Sequence, residues 1–308
     1  MPMSEMGGVL IREQEAGEGR ALDPAALAAA HPSWARDVDA LAPWDFDPGE
    51  GGWRSGAGAA GNVLVSGQCG SALDLAWELW DAGRLPEWGA VLAVRQTAGR
   101  GQLRRAWRSF PGNLHAAWAW PAPPPGFADL TPLAAGLLVA EALEQLGVRL
   151  SIKWPNDLLL DDRKVGGILV EERQGRTLVG LGLNLTSAPP AEFLREEWSQ
   201  PAADLSCSGL TLGPLRLMLA LEDFAIDWYA LKVSRGNPAL FPSLFAGRLA
   251  WVGRDVLVHG SGPPFTATLQ GLLPDGGLSL VRDGRELALH AGSISARSAD
   301  GLAGPHDL

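Results

Sequence analysis

Between Glu87 and Asp129 the chain carries no carboxylate, yet five arginines fall between Arg95 and Arg108. The run reads Arg95-Gln-Thr-Ala-Gly-Arg-Gly-Gln-Leu-Arg-Arg-Ala-Trp-Arg-Ser-Phe-Pro-Gly-Asn-Leu114, a cationic island in a protein of formal charge −10. Gly99 and Gly101 would let backbone N–H groups approach an anion, and guanidinium forks suit phosphate or carboxylate. Trp107 adds a flat face on which a base can stack. On composition alone the loop is equally a solvated Arg-rich surface, and one short island is small for gripping single-stranded RNA.

A second segment reads Lys153-Trp-Pro-Asn-Asp157, followed by Asp161-Asp-Arg-Lys-Val-Gly-Gly-Ile-Leu-Val-Glu171. Lys153 closes a short apolar strand, so its ammonium is expected at a core edge, where it can meet a carboxylate or a developing phosphoryl charge. Taken alone, it could equally be a surface lysine that snorkels. Pro155 holds Trp154 extended and fixes the turn. Asn156 can bond backbone or ligand, and Asp157 can hold a cation or cap the turn. Asp161-Asp162 reads as a hairpin turn without catalytic work. Gly166-Gly167 inside a strand implies close approach of a ligand or a neighbouring element. A third segment, Gly180-Leu-Gly-Leu-Asn-Leu185, sets glycines on one strand face and ends near Asn184; tight packing of a central strand explains it equally well. No Ser-His-Asp or Cys-His set is evident, and His115 reads as packing.

These residues need strands and loops to present them. Asn62–Ser66, Gly89–Arg95 and Asn113–Trp120 read as strands, the last alternating Leu114, Ala116, Trp118 and Trp120 with smaller residues. Ala72–Ala82 and Leu130–Leu146 read as helices, with Gly147 just past the second. Ser151–Trp154, Leu158–Asp161, Val165–Glu172 and Thr177–Asn184 follow as clustered strands, the last two joined at Gln174-Gly175-Arg176. Pro214–Lys232 is a long helix with proline at its first position, and Asn237-Pro238 opens another. Helices inserted among clustered strands predict an α+β layer rather than regular βαβ winding. From about Leu249 short strands alternate with turns, including the hairpin dipeptide Asp283-Gly284, which fits a small β-barrel. Residues 1–60 hold ten carboxylates and four arginines, with a single helix predicted over Pro24–Leu41.

Composition narrows the classes further. At 308 residues, 46% hydrophobic and 19% charged, the chain is neither disordered nor collagenous and has length for about two domains. Cys69 and Cys207 are too few for a disulfide framework or a Cys-rich metal site, so a reducing cytoplasm is expected. The apolar run Leu130–Ala140 is too short to span a bilayer and contains Pro132, and no signal-peptide pattern opens the chain. The acidic leader argues against a nucleic-acid partner. Of 25 basic residues only Lys153, Lys164 and Lys232 are lysines.

Together, Gln96-Thr-Ala-Gly-Arg-Gly101 with Trp107, Ser109 and Gly112-Asn-Leu114, then Lys153-Trp-Pro-Asn-Asp157, Arg163-Lys-Val-Gly-Gly-Ile-Leu-Val-Glu171 and Gly180-Leu-Gly-Leu-Asn184, resemble the biotin–protein ligases. The likeness spans about residues 62–297, counting Ala291–Arg297 as similar to the closing barrel strand. It implies ATP-dependent formation of biotinyl-AMP, with Mg²⁺ accompanying ATP, and transfer of biotin to a lysine of a biotin carboxyl carrier protein. It implies the biotin/lipoate ligase fold, with a mixed sheet in the catalytic domain and a C-terminal SH3-like barrel, divided as an extension over 1–60, a catalytic domain over 61–246, a barrel over 247–300 and a tail over 301–308. Lys153 and Arg100 would be catalytic. Ser71, Gln96, Gly99, Arg100, Gly101, Gln102, Lys153 and Gly167 would surround biotin. Arg105, Trp107, Asn156, Lys164 and Asn184 would surround ATP. No protein metal ligand is implied, and an edge-strand homodimer would rest on family analogy alone.

Two departures stand out. The family's Ser-Thr-Asn triplet is Ser71-Ala-Leu73 here, and Gln102 and Arg104 replace an Arg and a Gly of the usual loop. The regulatory members' DNA-binding domain has no counterpart in the acidic leader. A lipoate or octanoate ligase shares the fold, and a non-catalytic biotin or nucleotide sensor would keep the site without turnover; both are alternatives.

Overall fold

The computed structural model describes residues 8–12, 22–57, 62–102, 105–190, 192, 200–260 and 262–296. In chain order the elements are β1 (Gly8–Ile11), α1 (Pro24–Ala30), α2 (Pro32–Ala40), β2 (Trp44–Asp47), β3 (Gly52–Ser55), β4 (Asn62–Cys69) and α3 (Ala72–Asp81). They continue with β5 (Ala90–Gln96), β6 (Leu114–Trp120), α4 (Thr131–Gln145), β7 (Ser151–Lys153), β8 (Asp157–Leu160), β9 (Arg163–Arg173), β10 (Arg176–Leu183) and α5 (Pro214–Tyr229). The chain ends in α6 (Phe241–Leu244), β11 (Asp255–His259), β12 (Phe265–Leu272), β13 (Leu278–Arg282), β14 (Arg285–Leu289) and β15 (Ser293–Ala296). Arg104, Arg297 and the tail over 301–308 lie outside the described residues.

Ten strands form one mixed sheet in the order β2-β3-β1-β4-β5-β6-β10-β9-β8-β7. Among the described strands β1–β4 and β4–β5 pair parallel, and the other neighbours are antiparallel. The alternation read along β6 explains how both faces are covered. Trp118 and Trp120 face one core with Trp88 and Tyr229, their ring centroids 5.3 to 5.9 Å apart. That core also takes the apolar faces of α4 and α5. On the other face Ala117 and Ala119 are small, so α3 packs Leu73, Ala76 and Trp77 closely against the sheet. Leu73 lies over Gly180, where a Cβ would sit 2.9 Å from its Cδ1. Among the described residues no helix is long and apolar enough to cross a membrane.

Residues 8–57 differ from the expected leader: they supply β1, β2 and β3 to this same sheet. Val9, Leu10 and Ile11 are buried beside β4, an apolar triplet that the surrounding acidity obscures. The single helix expected over Pro24–Leu41 is two, because His31 must be extended before Pro32. The Asp37 carboxylate of α2 accepts hydrogen bonds from Gly213, Leu215 and Arg216 N–H and so caps α5. The α-helix begun at Pro214 ends at Tyr229 and passes into a π-helical turn over Ala230–Ser234.

The second sheet is antiparallel, in the order β14-β13-β12-β11-β15, as expected for a small SH3-like barrel. Asp283 and Gly284 both have positive φ, which a two-residue type I′ hairpin requires. The C-terminal segment holds the β7–β8 hairpin at Ile152 and Trp154 and the β8–β9 turn at Asp162. Ile152 N–H donates to Arg248 O at 2.7 Å and Ala250 N–H to Ile152 O at 2.9 Å. Asp162 accepts from Trp251 Nε1 at 2.7 Å and from Arg254 at 2.9 Å. Trp154 Nε1 donates to Gly276 O at 2.9 Å in the β12–β13 turn.

Candidate active site

Strand pairing brings residues from all three chemistry-bearing segments into one row. Lys153 on β7 pairs with Asp157 on β8, Asp157 with Gly167 on β9, Gly167 with Gly182 on β10, and Gly182 with His115 on β6. Directly paired residues share a sheet face, so this row presents an ammonium, a carboxylate, two gaps and an imidazole on one side. With strands spaced about 4.8 Å apart, it extends about 19 Å from end to end.

At one end, Lys153 Nζ lies 3.0 Å from Asp157 Oδ2 and Lys164 Nζ lies 2.6 Å from Oδ1. Burial of Asp157 opposes its charge, but attraction and hydrogen bonding from Lys164 and Lys153 hold its carboxyl below the ordinary value. Two ammonium groups share one carboxylate, leaving one excess positive charge. The Lys153 side chain is only 11% exposed and that of Lys164 33%, so the pair is largely withdrawn from bulk water.

In the middle of the row the missing side chains make room for Trp107. A Cβ on Gly182 would lie 2.4 Å from Trp107 Cζ2, and one on Gly167 would lie 3.6 Å from Cζ3. The element approaching this part of the sheet is therefore the indole itself. Its Nε1 donates to His115 Nδ1 at 3.2 Å, and Lys164 Nζ sits 5.9 Å from its ring centroid. His115, read from sequence as packing, is the indole's hydrogen-bond acceptor. Burial lowers its pKa to about 4 against the raising effect of the Phe110 carbonyl, so the ring is neutral at physiological pH.

The Arg-rich loop folds back on itself. Gly99 O accepts from Trp107 N–H at 2.8 Å, and Gly101 N–H donates to Arg105 O at 2.7 Å. Gly101 N–H is thus engaged inside the loop, while Gly99 is required because a Cβ there would meet Trp107 O at 2.8 Å. Gln102 O accepts from Arg105 N–H. Arg100 reaches away from this turn: Nε and Nη2 lie 3.1 and 2.9 Å from Glu171 Oε1, and Nη1 lies 2.6 Å from Asp74 Oδ2. Trp77 Nε1 and Arg173 hold the other Glu171 oxygen. Only the side chains of Asp74 and Glu171 could reveal these ion pairs, and each lies far from Arg100 in sequence.

At the head of α3, Ser71 is buried but its side chain does not cap the helix. Gln96 Oε1 does so instead, accepting from Ala72 N–H at 2.8 Å, while Ser109 Oγ accepts from Gln96 N–H. The Ala72 and Leu73 departures are thus filled by a backbone cap and by packing on Gly180. Asn156 and Asn184 hold the walls: their side-chain amides donate to Ile168 O at 2.6 Å and to Ala203 O at 3.0 Å. Asn113 of the Gly112-Asn-Leu114 motif likewise accepts from Leu185 and Thr186 N–H. Among the described residues no group of three or more His, Cys, Asp and Glu converges to hold a metal ion.

Comparison with known proteins places this geometry. The biotin/lipoate A/B protein ligase family model matches residues 67–186, which hold the whole row and the loop. The bifunctional ligase/repressor BirA of Escherichia coli is 32% identical over 233 residues, 71% of this chain and 69% of the relative. The biotin–[acetyl-CoA-carboxylase] ligase of Paracoccus denitrificans is 30% identical over 202 residues, 62% of this chain and 82% of the relative. The Aquifex aeolicus biotin protein ligase solved with biotin and ATP superposes with a TM-score of 0.65 at 26% identity, covering 76% of this chain and 97% of that one. The chain belongs to the biotin–protein ligase family.

Proposed function

We propose that the protein joins biotin to a carrier-protein lysine in two steps. A carboxylate oxygen of biotin attacks the α-phosphorus of ATP, the bond to the pyrophosphate oxygen breaks, and biotinyl-AMP forms. The carrier's amine, having lost a proton, then attacks the acyl carbon, and AMP leaves with the electron pair of the mixed anhydride. The family membership supports this reaction. The observation that carries it is the cross-strand row, where the excess positive charge at Lys153 and Lys164 adjoins a glycine floor covered by an indole.

In this reading Lys153 orients biotin's carboxylate and stabilises charge growing at the α-phosphate. Asp157 holds both ammonium groups in place. Arg100 and the backbone of Gly99–Gln102 close over biotin and its adenylate, with Ser71, Gln96 and Gly167 at the biotin end. Trp107 stacks on adenine, Arg105 and Lys164 face the nucleotide, and Asn156 and Asn184 fix the strands beneath it. Mg²⁺ accompanying ATP would supply charge neutralisation at its phosphates. We assign the reaction to the cytoplasm, in keeping with reduced thiols at Cys69 and Cys207. The acceptor is a biotin carboxyl carrier domain.

Exchange of labelled pyrophosphate into ATP tests the reading. It is expected to depend on biotin and not on lipoate. Exchange with lipoate alone would sink the biotin assignment, and no exchange with either would leave a sensor that binds without turnover.

A further inference from the structure

We infer that His115 is a positioning residue: it fixes the indole of Trp107 over Gly182 and Gly167 and so sets the surface on which adenine stacks. This inference rests on the proposed role of Trp107 in the nucleotide site.

The glycine floor explains why such a residue is needed. Gly167 and Gly182 give the indole area to lie on, but no side chains that would stop it from sliding or turning in plane. Nonpolar contact is non-directional, so packing alone leaves the ring's register loose. A hydrogen bond to the indole N–H supplies the missing direction. His115 provides it from the row itself, paired with Gly182 and buried on a central strand. The same ring reaches the far side of the segment, with Nε2 3.3 Å from Phe110 O. A single neutral tautomer satisfies both contacts, since bare Nδ1 accepts from the indole and Nε2–H donates to the carbonyl. His115 thereby brackets Trp107–Phe110 from a rigid strand. Protonation would turn Nδ1 into a donor facing another donor, and burial keeps the ring neutral. Among the described residues no other hydrogen bond holds the Trp107 side chain, whereas Phe110 O also accepts from Asn113 N–H at 3.3 Å.

The chemistry of substitution separates this role from packing. In His115→Asn, Oδ1 takes the place of Nδ1 and can still accept from the indole. In His115→Gln, only the position of Nε2 is reproduced and the indole N–H loses its acceptor. His115→Leu removes both contacts at similar volume.

Biotin-dependent pyrophosphate exchange by the full chain, measured against ATP and against biotin, decides the matter. His115→Gln and His115→Leu are expected to raise the KM for ATP about tenfold, the effect of losing one buried hydrogen bond at the stacking surface. The KM for biotin should stay within about twofold, and His115→Asn should recover most of the ATP affinity. Trp107→Ala serves as the control and should raise the KM for ATP at least as much. If ATP and biotin constants rise together with a fall in Tm in both Gln and Asn variants, His115 is merely structural and the inference is overturned. Unchanged ATP constants in the Gln variant also overturn it. If Trp107→Ala raises the ATP constant while the His115 variants do not, only the role of His115 falls. If Trp107→Ala has no effect, the adenine platform and the inference fall together. Should the Leu variant not fold, the Asn and Gln pair carries the same comparison.

Discussion

Lys153 and His115 occupy opposite ends of one row of directly paired residues across five strands, β7, β8, β9, β10 and β6. The row joins two segments that sequence alone keeps apart, the lysine pentapeptide and the Arg-rich loop. In the proposed reaction its charged end meets the reacting carboxylate and phosphate, and its neutral end holds an aromatic surface. The glycines between them set the distance.

Lys153→Ala is expected to raise the adenylation barrier by about 2–4 kcal/mol with the fold intact, the usual worth of an electrostatic contact to a transition state. Pyrophosphate exchange reads the barrier and circular dichroism the fold. Near-normal exchange would remove Lys153 from the mechanism.

Asp157 predicts an acid dependence. Its folded carboxyl titrates below the ordinary aspartate value, so its contribution to stability is complete above about pH 4 and is lost as the pH falls through the depressed value. Asp157→Asn should cost about 1–3 kcal/mol at neutral pH and flatten the acid limb of a denaturant stability profile. An unchanged acid limb would mean that the two lysines do not depend on this charge.

Glu222 predicts the opposite trend. It is buried in α5, and burial drives its carboxyl up to about 8; the opposing backbone N–H of Asn62 does not reach hydrogen-bonding geometry. The folded state therefore holds a proton that the unfolded state releases near pH 4, so stability declines as pH rises toward and through 8. Glu222→Gln should match the parent protein at pH 4 and exceed it by about 1–3 kcal/mol at pH 9. Thermal melts at the two pH values check this, and parallel curves would contradict it.

Trp154 links the lysine turn to the barrel. Trp154→Phe keeps the ring but strands the Gly276 carbonyl, which should cost about 1–3 kcal/mol of stability. Because Trp154 adjoins Lys153, kcat for exchange should fall more than either KM rises. A loss of stability with kcat untouched would confine the contact to holding the domains together.

Gln102 follows Gly101 in the loop that closes over the adenylate in the proposed reaction. Gln102→Arg adds a guanidinium able to fork onto phosphate, so release of biotinyl-AMP should slow by about tenfold, the worth of one charge-assisted contact. Rapid quench or filter retention of the labelled adenylate measures it, and unchanged release would count against this view of the loop.

Much of the site was legible because its local signals are strong. An apolar strand ending in Lys153-Trp-Pro-Asn-Asp157 can hardly be other than a hairpin, and paired glycines at 166–167 and 180–182 announce a close approach. What approaches was not legible, since the indole and the glycines meet only through strand pairing between distant segments. The same limit hid the carboxylates on Arg100 and the strands supplied by residues 8–57, whose β1 pairs with β3 and β4 across the intervening α1, α2 and β2. An amide's partner cannot be known from its own neighbourhood: Asn156 could bond backbone or ligand, and the fold gives the side-chain amides of Asn156 and Asn184 the carbonyls of Ile168 and Ala203. His115 carried no sequence signal, because a lone histidine among alanines looks like filling until its two ring nitrogens are given partners.

The floor beneath Trp107 also limits how the site can be redesigned. Gly167 and Gly182 have no side chain left to remove, so with Trp107 in place no substitution at these two positions can make more room beneath the ligand. Room for a bulkier ligand must be cut from the opposite wall, in the loop around Arg100–Gln102 or at Leu73 on α3. Selection for altered ligand size would therefore concentrate its changes on those two segments and leave the row untouched.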